Sequence, residues 1–125
     1  MMDQPSIREL VTAVRDFLET KAMPELKGHT AFHARVAANA LGIVARQLEF
    51  YDRASEEETK RLMALLGHEG ALEELNRELC VRLRTGEFTL ATPGLAAHLE
   101  ATTRDKVAID QPNYSGLKQA PERRL

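Results

Sequence analysis

The sequence predicts an all-α protein: a compact bundle of about five helices with an extended C-terminal tail. Three observations point there. Apolar residues recur at helical spacing through most of the 125 residues. Aromatic residues make up only 5% of the chain and Trp is absent, so the core must come from Leu, Val, Ile and Ala, which suits helix packing better than a β-sandwich. Gly and Pro punctuate the periodic runs where helices stop and start. A chain of this length is expected to form one domain, here residues 1–112, with 113–125 as a polar and partly mobile tail.

The first helix is expected from Ser6 to Lys21. Ser6 and Glu9 have capping-box spacing, and Ile7, Leu10, Val11, Val14, Phe17 and Leu18 recur with helical period. Pro24 and Gly28 end it. The second is expected from Thr30, as N-cap, to Phe50, with Phe32, Val36, Ala37, Ala40, Ile43, Val44 and Leu48 as a broad apolar face. Its alanines and Gly42 allow close approach by another helix. The third opens at Ser55-Glu56-Glu57-Glu58, a cap followed by acids that favour the positive end of the helix dipole, and ends near Leu66 before Gly67. A fourth runs from Ala71 to Thr85 on the stripe Leu72, Leu75, Leu79, Leu83, stopped by Gly86. Thr92-Pro93, as cap and first-turn proline, starts a fifth that reaches Ile109. Phe88 to Ala91 is the only stretch resembling a strand and is too short to build a sheet. Tyr114 is expected to pack onto the body.

Charge narrows the function classes. With 17 basic and 19 acidic residues the net charge is −2, which gives no field to attract a phosphate backbone, so nucleic acid is not an expected partner. The Arg82, Arg84 and Arg123, Arg124 pairs are too short to alter that. Cys80 is the sole cysteine, which excludes an internal disulfide and fits a reducing compartment. Met1 to Pro5 lacks a basic segment followed by an apolar one, so no signal peptide is read. The apolar run of the second helix is broken by Asn39, Arg46 and Gln47, so no membrane span is expected. A cytoplasmic location is the simplest expectation.

The segment Thr102 to Tyr114 carries the most suggestive chemistry. If it continues the fifth helix, Lys106 shares a face with Leu95, Leu99 and Ile109, and a lysine in an apolar stripe must be paired or reach water. Asp110 stands four residues on, at pairing distance along a helix. One reading is a lysine that meets an anionic ligand such as a carboxylate or phosphate, oriented by Asp110. The other is a lysine whose stem covers the core while its ammonium snorkels out to Asp110.

His33 is placed by the helical wheel near the centre of the second helix's apolar face, between Ala37 and Ala40, with Arg35 and Asn39 at one margin. It is either an acid/base or ligand-contacting group or a core histidine bonded to a carbonyl or carboxylate. Asn76 and Cys80 lie beside the leucine stripe of the fourth helix, Cys80 as a half-buried structural thiol. His29 and His33 have metal-sharing spacing, but His29 precedes the expected N-cap and no third ligand is evident. Gly67-His68-Glu69-Gly70 lacks the length and order of a phosphate loop. No metal, no cofactor and no catalytic set is therefore expected. The candidate ligand-binding residues are His33, Arg35, Asn39, Lys106, Asp110 and Tyr114.

Three segments together carry a family resemblance: Phe32 to Leu41, Leu65 to Gly70 continuing through Leu75 to Cys80, and Lys106 to Tyr114. In these the chain resembles a bacterial family of unknown function and of about this length. Its members are found beside, or fused to, phosphotransferase-like proteins related to the aminoglycoside kinases, often with acyl-CoA dehydrogenases nearby. The resemblance assigns no active-site residues. It implies an association rather than a mechanism, with neighbours suited to phosphorylation and oxidation of acyl-CoA-type substrates. The small size, the lack of a recognisable catalytic constellation, the alanine-rich second helix and the polar tail lead to the expectation of a non-catalytic accessory or regulatory protein that binds a phosphotransferase-like partner linked to acyl-CoA metabolism. The alternative is a small ligand-binding domain or enzyme acting on an anionic substrate through a His33/Lys106/Asp110 cleft. Homo-oligomerisation through the second helix is compatible with either.

Overall fold

The computed structural model describes residues 4–119. Among them are five α-helices and no strand: α1 (Ile7–Phe17), α2 (Gly28–Leu66), α3 (Leu72–Arg84), α4 (Leu95–Asp110) and α5 (Ser115–Gln119). The all-α class therefore stands. The chain divides into two compact units, Met1–Phe50 and Tyr51–Leu125.

The first unit is built on α1 and the part of α2 that ends at Phe50. The capping box forms as the spacing predicts: the Glu9 N–H donates to Ser6 Oγ at 3.2 Å and the Ser6 N–H donates to the Glu9 carboxylate at 2.6 Å. After Phe17 the chain loosens into a π-helical turn, Leu18–Ala22, and then tightens into a 3₁₀ turn at Met23–Glu25, where Pro24 ends the run. The two helices run antiparallel, since Arg8 pairs with Glu49 at 2.9 Å while Arg15 lies against Gly42. Gly42 is buried as expected, but what it admits is a side chain: the Arg15 guanidinium lies 3.2 Å from where a Cβ would stand. Ala38 is the other buried contact.

In the second unit the remainder of α2 meets α3 and α4. The expected break between a second and a third helix is absent. Residues Tyr51 to Ala54 hold no Gly or Pro, and the Ser55 cap pattern sits inside the helix. There the Thr59 hydroxyl bonds back to the Ser55 carbonyl at 2.7 Å inside the helix, and the i, i+4 pair of Arg53 with Glu57 at 3.1 Å supports its continuation. Leu62 and Leu66 of α2, Leu75 and Leu79 of α3 and Leu95 of α4 form the core, with Met63, Leu72 and Phe88 packed around it.

The strand candidate Phe88 to Ala91 forms turns after α3, and its first residue caps that helix. Gly86 takes a positive φ of 76°, the chain turns back, and the Phe88 N–H donates to the Arg82 carbonyl at 3.1 Å. The Arg82 guanidinium lies 5.2 Å from the centre of the Phe88 ring. The start of α4 also departs from expectation. The Thr92 hydroxyl accepts the Thr89 N–H at 2.9 Å and closes a turn, and the helix begins after Gly94, whose φ of 85° only glycine adopts readily. Cys80 is exposed rather than half-buried. The expected tail includes α5, and its residues 120–125 lie outside those described. Among the described residues no helix is long and apolar enough to cross a membrane.

Candidate functional site

The six residues singled out by sequence divide between the two units. His33, Arg35 and Asn39 belong to the first and Lys106, Asp110 and Tyr114 to the second. His33 is exposed, with its ring meeting that of Phe32 edge-on at 5.6 Å, so it is not a core histidine. Arg35 and Asn39 are exposed beside it. Lys106 and Asp110 are both exposed, and among the described residues no ion pair joins them. The helix turns Lys106 into water, which removes the burial that would have forced a partner on it. Tyr114 lines a groove of about 300 Å³ between α4 and α5, together with Leu99, Thr103, Arg104, Val107 and Leu117.

The buried imidazole is His98, which the sequence reading passed over. It is 2% exposed and sits between Leu95 and Ala101, the two other buried residues of α4. Its Nδ1 accepts from Arg61 Nε at 3.4 Å, which places the proton of the neutral ring on Nε2. The same guanidinium donates to the Thr102 hydroxyl at 3.3 Å and stands 3.9 Å from the Asp105 carboxylate. His98, Thr102 and Asp105 fall at i, i+4 and i+7, one face of α4, so a single arginine on α2 reads all three. One helix over, Asn76 of α3 donates to Glu58 of α2 at 3.0 Å. Burial lowers the His98 pKa below its ordinary value, the Arg61 charge lowers it further, and Glu58 opposes weakly. The segment Thr102 to Asp110 thus does carry a polar constraint, but through Thr102 and Asp105 rather than Lys106 and Asp110.

A second cluster joins the turn before α3 to the second half of that helix. His68 Nδ1 bonds the Glu69 carbonyl at 3.0 Å and its Nε2 meets Glu78 at 2.7 Å; Glu78 also accepts from Arg82 at 2.6 Å. The Glu69 carbonyl, the Glu78 hydrogen bond and the Glu78 charge together raise the His68 pKa. Burial alone would raise Glu78, but its bonds to His68 and Arg82 outweigh that and hold it low. A raised histidine pKa contributes stability below the unfolded value of about 6.5 and loses it as pH rises through the folded value. His68→Gln is therefore expected to lower the urea midpoint slightly at about pH 5.5 and to leave it unchanged near pH 9, as measured by circular dichroism. Equal effects at both pH values would exclude a charged His68–Glu78 bond.

Among the described residues no group of three or more His, Cys, Asp or Glu side chains is placed to hold a metal. A family model matches residues 24–114. The chain belongs to DUF6285, a family of domains of unknown function. No curated protein matches it, and no solved structure does either. The stretch matched by DUF6285 holds the whole His98 network and all six residues read from the sequence, whereas α1 precedes it.

Within this DUF6285 domain the two polar clusters differ in kind. The His98 network is an internal clamp: a neutral imidazole, a hydroxyl and a carboxylate of α4 gathered on one guanidinium of α2. Its bonds tie α4 to α2. Most residues at the start of α2 are exposed instead. There Phe32 and Val36 are 59% and 49% exposed, one helical turn apart, with His33, Arg35 and Asn39 around them.

Proposed function

We propose that this chain is a non-catalytic accessory or regulatory protein that docks through the start of α2 onto a phosphotransferase-like partner of acyl-CoA metabolism. The observation that carries this reading is the apolar pair Phe32 and Val36, left open to solvent within a polar rim of His33, Arg35 and Asn39. Interfaces are built in this way, with an apolar centre and polar groups that set the register at the edge. An arginine and a half-exposed aromatic side chain are also the residue types that most often dominate binding energy. The partner class rests on the family resemblance, whose members accompany phosphotransferase-like proteins. His33, Arg35 and Asn39 become contact residues in this reading, not acid/base groups.

The test is co-expression with a phosphotransferase-like protein from the same genome, followed by size exclusion with light scattering. A stoichiometric complex is expected. Val36→Glu combined with Arg35→Glu is expected to weaken it at least tenfold, with the helical circular dichroism signal intact. No co-elution, or a complex indifferent to both substitutions, would overturn the assignment of this surface.

A further inference from the structure

We infer that α1 is a self-association helix, and that its occupant is the same helix of a second copy, packed antiparallel. The helix has no buried residue, yet it is strongly two-sided. Ile7, Leu10, Val14 and Phe17 are 58%, 52%, 51% and 58% exposed. They fall at i, i+3, i+7 and i+10, the seam of a two-stranded coiled coil. Val11, Arg15 and Leu18, on the neighbouring face, are partly covered. The seam is therefore a separate apolar face from the one turned toward α2.

The seam is self-complementary, and this selects a second copy. The four positions are symmetric about the middle of the helix. In an antiparallel pair Ile7 of one copy faces Phe17 of the other, and Leu10 faces Val14. Each layer joins a β-branched side chain to a longer one, and every contact occurs twice, as a two-fold interface requires. Ser6 and Ala13, seven apart along one flank of the seam, are small and uncharged, so no like charges meet there. Three of the four charged residues of α1 are engaged elsewhere, Arg8 with Glu49, Glu9 in the cap and Arg15 with Glu19, and the fourth, Asp16, falls on the far side of the helix from the seam.

The area fits a reversible dimer of micromolar strength rather than an obligate one. With about half of each side chain open, the four seam residues offer on the order of 400 Å² per copy, against the roughly 800 Å² that one partner gives to a standard interface. Val44 and Leu48, 43% and 46% exposed on the stretch of α2 that leads to Glu49, extend the patch. Two such hairpins close into a four-helix arrangement, which gives each the inner core that a lone hairpin lacks. This contact uses α1 and is independent of the partner surface proposed at Phe32 and Val36.

The full chain alone decides it. Light scattering after size exclusion, at loading up to about 100 μM, is expected to give twice the 14.0 kDa chain mass, since any micromolar dissociation constant then leaves mostly dimer. Leu10→Glu with Val14→Glu is expected to give a monomer of unchanged helicity, because both positions face solvent in the single chain. Phe17→Ala, which adds no charge, is expected to raise the dissociation constant at least tenfold. A wild-type monomer at the highest loading would overturn the inference. So would a dimer that survives the double glutamate substitution, since it would then be held by another face.

Discussion

Leu75→Ala is expected to lower the stability of the Tyr51–Leu125 unit by about 3–4 kcal/mol, a loss typical of a well-packed buried leucine. Leu75 is 1% exposed and is one of five leucines, from three helices, that form the buried core among the described residues. So few side chains leave little slack for collapse around the missing atoms, and the cavity term adds to the lost transfer energy. Leu83→Ala on the same helix is the matched control: at 36% exposure it is expected to cost less than about 1 kcal/mol. Both tyrosines, Tyr51 and Tyr114, belong to this unit, so tyrosine fluorescence in urea reports its unfolding directly. Equal midpoints for the two variants would show that Leu75 does not lie at the centre of the packing.

Local signals in the sequence were read correctly where one short-range interaction decides the outcome. The Ser6–Glu9 box, the stop at Gly86 and the leucine stripe of α3 from Leu72 through Leu79 all follow from residues within one or two turns, whereas Leu83, the last of the stripe, is exposed. The failures share a physical cause. The Ser55-Glu56-Glu57-Glu58 pattern is a good helix start, but equally a good helix interior when nothing before it breaks the chain. Only the absence of Gly or Pro between Tyr51 and Ala54 distinguished the two. Burial was harder still. His33 lies among apolar neighbours, yet the face it shares is turned to solvent, because the hairpin contact is made by Ala38 and Gly42 instead. The core histidine is His98: Leu95, His98 and Ala101 are three apart and all buried. That spacing was visible, but its partner Arg61 is 37 residues away, and no local pattern connects them.

His98 also makes the protein acid-sensitive in a way its sequence does not announce. Its pKa is lowered in the folded state, by burial first and then by the Arg61 charge. The unfolded chain therefore takes up the proton at about pH 6.5, before the folded chain does. Stability from this residue is complete above that value and is lost as pH falls toward the folded value. Within that window the slope is at most about 1.4 kcal/mol per pH unit for one proton. Protonation would also turn Nδ1 from an acceptor into a donor facing the Arg61 Nε–H, which breaks the bond between α2 and α4. His98→Gln keeps an acceptor for Arg61 but does not titrate. The stability difference between wild type and variant, measured by urea unfolding at several pH values, cancels the carboxylates common to both. It is expected to favour wild type most at neutral pH and to shrink steadily below about pH 6.5, opposite in sign to the His68→Gln series. A difference that does not change with pH would show that the Arg61–His98 contact does not depend on a neutral imidazole.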